Sequence, residues 1–223
     1  MKLKKIRKVM EGKFLTRYDI EYETSDGREK IYEMVGRQRE MNTAEELENR
    51  QADSVILILT DEAGERILLC REFRMAMNHW TYNFPGGLID PGETVQVSAA
   101  RELMEETGLK LLRVDDVLEQ SCNAIGLSNE KGTLVFGIAG AADGGSADIF
   151  RNHTTYDEEI EPGWYTREEV RKLLRTEPFD ARTQAYCYLW AGGNQATVKA
   201  PDDGVRRDAA ERVPQAPSGA EDV

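Results

Sequence analysis

Two runs of alternating apolar and polar residues flank Ser25-Asp26-Gly27 within FLTRYDIEYETSDGREKIYEMVGR. Residues 8–40 therefore read as antiparallel strands with a hairpin at that turn. A polar stretch from Glu40 to Asn49 follows, with the composition of a connector or helical turn. VILILT at 55–60 is nearly continuous apolar, the pattern of a buried strand, and ERILLCREF at 65–73 follows it across Asp61-Glu62-Ala63-Gly64 as a second hairpin. Residues 81–93 contain YNFPGGLIDPGE, read as a loop rich in Gly and Pro. Behind it the spacing predicts a helix from Thr94 to Thr107, ended by Gly108. Strand-like segments recur at 117–122 and 133–139. The Gly-rich GAADGGSAD and the acidic YDEEIE come next, and EPGWYT leads into a short helix at 167–174. A last helix, 180–191, carries Ala185, Leu189 and Trp190 at helical spacing. From 193 to 223 Pro, Gly, Ala and charge leave little to bury, and the segment is expected to be a disordered tail.

Composition narrows this picture. The chain has 223 residues, of which 40% are hydrophobic and 31% charged, enough for one α/β domain and an additional segment. No apolar run approaches the ~18 residues that span a bilayer. The basic N-terminus MKLKKIRKVMEGKF lacks the apolar stretch of a signal peptide, so a cytoplasmic protein is expected. A net charge of −12 gives no general attraction for nucleic acid or anionic membranes, and neither is expected as a partner. A phosphate-bearing substrate would need local cations to overcome that field. Cys70, Cys122 and Cys187 are far apart and read as reduced thiols, and His79 and His153 are too few for a histidine-rich metal site.

The helix at 94–107 carries the candidate chemistry. On a helical wheel Val97, Ala100, Leu103, Met104 and Thr107 gather toward one side. Glu102, Glu105 and Glu106 gather on another, at i,i+3 and i,i+4 spacings where like charges repel. Arg101 offsets part of that repulsion, and the rest calls for another cation. Clustered hard oxygen donors suit Mg²⁺, with Mn²⁺ as the alternative. Alone, E-x-x-E-E is most often a solvated charged face. The preceding loop changes the balance. Gly86-Gly87 lets the backbone approach a ligand closely, Pro91-Gly92 is a turn, and Glu93 stands at the positive end of the helix within reach of Arg101.

The run GLIDPGETVQVSAARELMEETGL resembles the signature of the Nudix hydrolases, G-x5-E-x7-R-E-U-x-E-E-x-G-U, where U is a bulky aliphatic residue. Gly87, Glu93, Arg101, Glu102, Leu103, Glu105, Glu106, Gly108 and Leu109 fill every fixed position. The order of segments, and stretches such as REFRMAMNHWTYNFPGGLIDPGET and DARTQAYCYLW, resemble the ADP-ribose pyrophosphatase branch over roughly residues 10–191. One departure stands out. That branch has a proline in the segment that here reads Ser121-Cys122-Asn123-Ala124-Ile125-Gly126-Leu127-Ser128-Asn129-Glu130.

The resemblance implies an α/β (α+β) Nudix fold, a mixed β-sheet sandwiched between helices, in a domain over 46–192. An extra N-terminal antiparallel segment, 1–45, would help to build a homodimer. There Phe14, Ile20, Ile31, Met34 and Val35 need a surface, and Arg28 or Tyr32 would reach the partner's nucleotide pocket. It also implies Mg²⁺-dependent cleavage of the diphosphate of a nucleoside diphosphate derivative, ADP-ribose first, with other nucleoside diphosphate sugars or dinucleotides as alternatives. A Nudix module that senses such a nucleotide without cleaving it is the non-enzymatic alternative. Carried over residue by residue, Glu102, Glu105 and Glu106 are metal ligands and catalytic groups, with the Gly86 carbonyl as a further ligand. Glu93 and Arg101 would orient them. The acidic loop offers Asp157, Glu158 and Glu159 as a catalytic base, Glu158 preferred. Arg71, Arg74, Trp80 and Glu130 are the candidates for substrate binding, with Tyr82 a second aromatic and Met75 and Met77 read as filler.

Overall fold

The structure, a computed structural model, describes residues 1–49, 51–142, 145–151 and 158–192. The expected tail at 193–223, the candidate base Asp157, and His153 lie outside the described residues. The first three strands, β1 (Lys2–Glu11), β2 (Thr16–Glu23) and β3 (Glu29–Gly36), form an antiparallel sheet in the order β1-β2-β3. The hairpin at Ser25-Asp26-Gly27 is there, and Gly27 turns it at φ 82°. The sequence reading began this sheet at residue 8 and missed most of β1. Five lysines and arginines hide that strand's alternation, which its partner reveals by pairing Ile6 with Ile20. Tyr18, Ile20, Met34 and Met41 close a small core on the inner face of this sheet. The helical turn α1 (Ala44–Glu48) follows, opened by Thr43 and Glu46 in reciprocal side-chain-to-backbone bonds.

The larger sheet is mixed. Its strands are β4 (Ser54–Thr60), β5 (Arg66–Arg74), β6 (His79–Asn83), β7 (Leu109–Cys122), β8 (Lys131–Ala141) and β9 (Ile160–Thr166). They run in the order β6-β5-β4-β8-β7, with β9 on the other edge of β5. Only β4 and β8 are parallel, from Ser54↔Gly132 to Thr60↔Ile138. β4 is buried on both faces, as its continuous apolar run predicts. Val55, Leu57 and Leu59 face one core, with Ala99, Leu103 and Leu109. Ile58, with Ile67 and Leu69 of β5, faces the other, with Val170 and Cys187. Helix α2 (Val95–Thr107) covers the first face, and α3 (Arg167–Thr176) and α4 (Ala181–Trp190) cover the second. The mixed sheet between helices is the expected fold class.

Three elements of this larger sheet differ from expectation. The region read as loop from residue 81 is still strand through Asn83, because Cys70 to Arg74 pair with β6 before Phe84-Pro85-Gly86-Gly87 breaks the pattern. EPGWYT is strand β9 rather than a lead-in, its extended backbone held along β5 despite Pro162 and Gly163. β7 is 14 residues long rather than six. Its exposed charges conceal the pairing, and it carries three register irregularities.

One feature of this sheet builds the cleft. β4 and β5 pair only at Thr60↔Ile67 and then diverge. The backbone after β6 fills the gap: Leu57 N–H donates to the Pro85 carbonyl at 2.8 Å, Val55 N–H to Gly87 at 2.9 Å, and Ile89 N–H to Asp53 at 3.0 Å. Gly86 sits inside this substitute ladder at φ 153°, where a Cβ would lie 2.2 Å from the Val55 carbonyl oxygen.

Candidate active site

Helix α2 begins at Thr94, whose side chain accepts from Val97 N–H, and ends at Gly108 in the left-handed conformation. Its buried residues are Ser98, Ala99, Leu103, Glu106 and Thr107. This corrects the wheel: Val97 and Ala100 face solvent, and the buried stripe is centred on Glu106. The apolar residues of this helix are spread around it, so their positions do not fix its inner face. The small Ser98 and Ala99 do, because they let α2 lie close to the sheet.

Glu106 is only 9% exposed. Its Oε2 accepts from Gly86 N–H at 3.1 Å, and the Cys70 thiol lies 3.9 Å away. Burial drives its pKa well above the ordinary carboxylate value. The Gly86 bond opposes that rise, and the charges of Glu102, Glu72 and Glu158 add to it. Burial likewise raises Glu102 and Glu72, and each also feels Glu158. Burial raises the Cys70 thiol too, with the Glu106 charge second. The Glu102 carboxylate stands directly over Gly87, where a Cβ would come within 2.4 Å of it.

Arg101 ties the loop to the helix. Its Nε and Nη2 donate to Glu93 at 2.9–3.3 Å, Nη2 also donates to the Leu88 carbonyl at 2.9 Å, and Nη1 donates to Glu102 at 2.9 Å and Glu105 at 3.1 Å. Ser98 Oγ donates to Glu93 at 2.6 Å. Arg101, then Ser98, draw the Glu93 carboxyl down to about 2.

These groups line a cleft of about 680 Å³. Of the residues singled out in the sequence, the cleft collects Arg74, Gly86, Arg101, Glu102, Glu105, Glu106, Glu130 and Glu158. Glu93 stands behind Arg101, and Glu159 precedes β9, its carbonyl bonded to Phe73 N–H. Arg71 and Trp80 are not brought to the cleft. Strand alternation sends Cys70, Glu72 and Arg74 to the α2 face and Arg71 to the other, where it pairs with Glu161 at 2.9 Å and lies 4.5 Å from the Trp80 ring centre. Tyr82 stacks on Phe179 in the second core.

The sequence reading did not single out Glu72, Asn123, Arg37, Asp180 or Arg182, all of which line the cleft. Glu72 was accessible in principle from its period-two relation to Cys70 and Arg74. The others come from separate segments, and no local pattern joins them.

Among the described residues no three carboxylate, histidine or cysteine side chains converge into a ready-made metal cage. The donor chemistry nonetheless fits a hard divalent cation. Glu102 and Glu106 are hard oxygen donors in a site whose burial penalises their charge, and Glu72 and Glu158 add to the negative field. Arg101 holds Glu102 and Glu105 in this arrangement.

A mixed sheet between helices, with a glutamate-lined helix under a double-glycine loop, defines the fold class, and the NUDIX domain profile matches residues 50–187. The chain belongs to the Nudix family. It is 32% identical over 127 residues to a CMP-5'-(N-acetyl-N-hydroxy-3-aminopropyl)phosphonate hydrolase of Streptomyces rubellomurinus, a match covering 57% of each chain. It is 33% identical over 125 residues to the ADP-sugar pyrophosphatase of Mus musculus, covering 54% of this chain and 53% of that one. The ADP compounds hydrolase NudE of Escherichia coli is 32% identical over 103 residues, covering 46% and 48%. The chain thus spans about half the length of the curated relatives it matches. A crystal structure of an ADP compounds hydrolase shares the fold, with a TM-score of 0.61 at 19% identity over 85% of this chain and 92% of that one. No helix among the described residues is long and apolar enough to cross a membrane.

Proposed function

We propose that this protein is a Mg²⁺-dependent hydrolase of the diphosphate bond in a nucleoside diphosphate linked to a second moiety, with ADP-ribose, cleaved to AMP and ribose 5-phosphate, as the leading substrate. The observation that carries this reading is Glu106. A carboxyl group this deeply buried, accepting one backbone N–H and facing the charges of Glu102, Glu72 and Glu158, resists ionising on its own, and a bound cation would offset that cost. A divalent ion held by Glu102 and Glu106, with Glu105 and the Gly86 carbonyl as further donors, would neutralise phosphate oxygens and acidify a water. Mn²⁺ can replace Mg²⁺ in such a donor set.

Hydrolysis adds water across the P–O–P bridge. A water oxygen bonds to one phosphorus, the bridging oxygen leaves with the other, and a carboxylate takes the water's proton. Glu158 is the proposed acceptor, since its charge is felt by Glu72, Glu102 and Glu106 alike. Glu93 and Arg101 orient the glutamates, and Arg74 and Glu130 meet the substrate. The names of two relatives, an ADP-sugar pyrophosphatase and an ADP compounds hydrolase, favour the ADP-linked substrate. The phosphonate hydrolase favours a second reading, a CMP-linked substrate in the same machinery.

Incubation with ADP-ribose, other ADP-sugars, dinucleotides and CMP-linked compounds, with and without Mg²⁺, tests this directly. AMP and ribose 5-phosphate should appear only with metal. Binding without product release across the panel would assign the chain to nucleotide sensing instead. We also infer a cytoplasmic homodimer, the N-terminal sheet contributing to its interface.

A further inference from the structure

Four arginines line the cleft: Arg37, Arg74, Arg101 and Arg182. Three are paired with carboxylates. Arg37 Nε donates to Glu130 at 2.9 Å, Arg74 to Glu72 at 2.6 Å, and Arg101 to Glu93, Glu102 and Glu105. Arg182 has no carboxylate partner for its guanidinium among the described residues. Its Nη2 donates to the neutral side chain of Asn123 at 2.8 Å, and its Nη1 is buried with no hydrogen-bond partner. Asp180, the nearest acid in sequence, is already occupied by capping α4: its Oδ2 accepts from the Arg182 and Thr183 backbone N–H groups.

A guanidinium in this position is costly. Burying a charged donor without an acceptor is unfavourable. The side chain is also held in place. Asn123 passes the contact on, its Nδ2 donating to Glu130 at 2.8 Å, and Glu130 in turn accepts from Arg37. Arg182, Asn123, Glu130 and Arg37 thus form one hydrogen-bonded chain along a wall of the cleft, from the start of α4 to the residue after β3. The wall also adjoins the loop over the glutamates, since Thr183 Oγ1 accepts from Phe84 N–H at 3.3 Å and contacts Asn83 at 3.1 Å.

We propose that Arg182 is a substrate-anchoring residue whose guanidinium, pivoting on the Nη2 contact with Asn123, turns its unpartnered Nη1 from its buried position to a non-bridging oxygen of the substrate's diphosphate. The inference rests on the diphosphate-cleaving reading of the cleft. A charge-assisted hydrogen bond to phosphate supplies the acceptor that Arg182 lacks. It also supplies a local cation in the cleft, which a protein of net charge −12 needs to hold a polyanion.

The test measures calorimetric affinity for α,β-methylene ADP and for methylenediphosphonate, with Mg²⁺, on the full chain. The proteins are the wild type, Arg182→Gln, Arg182→Lys and Asn123→Ala. Arg182→Gln should weaken both ligands by about tenfold or more. Arg182→Lys, which keeps the charge, should fall between wild type and Arg182→Gln, as should Asn123→Ala, which keeps the guanidinium but frees it. With ADP-ribose as substrate, KM should rise by a larger factor than kcat falls. Thermal melts of each variant separate lost binding from lost folding, with Arg182→Lys the variant on which the comparison rests if Arg182→Gln melts early. Wild-type binding with affinities within twofold in Arg182→Gln overturns the anchoring role alone. So does Arg182→Lys binding as weakly as Arg182→Gln. A wild type that binds neither diphosphonate overturns this inference and the proposed function together.

Discussion

Glu106 and Glu93 are pushed in opposite directions by their surroundings, and that difference is measurable. Burial raises Glu106, so its ionised form works against the metal-free fold once pH exceeds the ordinary value of 4.5. Glu106→Gln keeps an acceptor for the Gly86 N–H while removing the charge. At pH 7 without metal it should melt higher than wild type, by about 2–4 °C for each kcal/mol relieved. The same variant should lose about 10²-fold or more of its turnover. A lower metal-free melting temperature would show that the carboxylate is already compensated. For Glu93 the sign is reversed. Arg101 and Ser98 hold its carboxyl near 2 against an ordinary 4.5, so its contribution is full above 4.5 and is lost as pH falls through about 2. Glu93→Gln should therefore show a flatter decline of melting temperature between those pH values than the wild type. Equal slopes would mean that the contact with Arg101 does not persist in solution.

At the level of elements, the adjacent glycines of the loop have separate duties. Gly86 belongs to the backbone ladder beside β4, where an added Cβ meets the Val55 carbonyl. Gly87 faces a carboxylate on a flexible side chain. Gly86→Ala should cost about 2–4 kcal/mol of stability, read from denaturant melts. Gly87→Ala should leave stability nearly intact and displace Glu102, with activity falling while the melt does not. If both variants lose stability equally, the division is wrong. The signature also shows how much of the site the sequence carries. Gly87 to Leu109 lie on one loop and one helix, so their spacing alone places Glu102, Glu105 and Glu106 together. The inner face of α2 was not legible, because its apolar residues are scattered and the deepest polar group is Glu106 itself. Arg71 and Arg74 differ by one residue too many to share a face, and only the pairing of β5 shows which one enters the cleft. Strands β1, β6 and β9 were obscured by charge, by an adjoining loop, and by Pro and Gly. Their partners supply the pairing that their own sequences do not announce.

Across the whole molecule, the N-terminal sheet divides its apolar residues. Ile20 and Met34 are buried within the chain, whereas Phe14 is 70% and Ile31 52% exposed. Tyr32, expected as a reach toward a partner, donates to the Gly126 carbonyl of its own chain at 2.7 Å, and Arg28 pairs with Asp26 at the hairpin tip. Val35 N–H likewise donates to the Leu127 carbonyl at 3.0 Å, so the sheet braces the loop that carries Asn123 and Glu130. The proposed dimer therefore has the exposed residues as its test. Sedimentation equilibrium should give twice the chain mass for the wild type. Ile31→Asp should shift it toward monomer without lowering the unfolding temperature of the monomer by more than a few degrees. A wild-type monomer, or an Ile31→Asp dimer of unchanged affinity, would remove this sheet from the interface.

The parallel pairing of β4 with β8 also sets a timetable. Every other neighbouring pair in the larger sheet is antiparallel, but the central one joins Ser54 to Gly132, and everything between must be looped out first. Closing a loop of that length costs about 4 kcal/mol of chain entropy before any contact compensates it. During synthesis the two-faced apolar strand β4 leaves the ribosome long before its neighbour exists. Until then Val55 to Leu59 have only the strands beside β5 and the nascent α2 to shelter them. The parallel ladder on the edge of β4 opposite Gly86 is thus a late arrival in the folding of this chain, and the wall of the cleft that carries Asn123 and Glu130 takes shape only after β4 has waited for its partner.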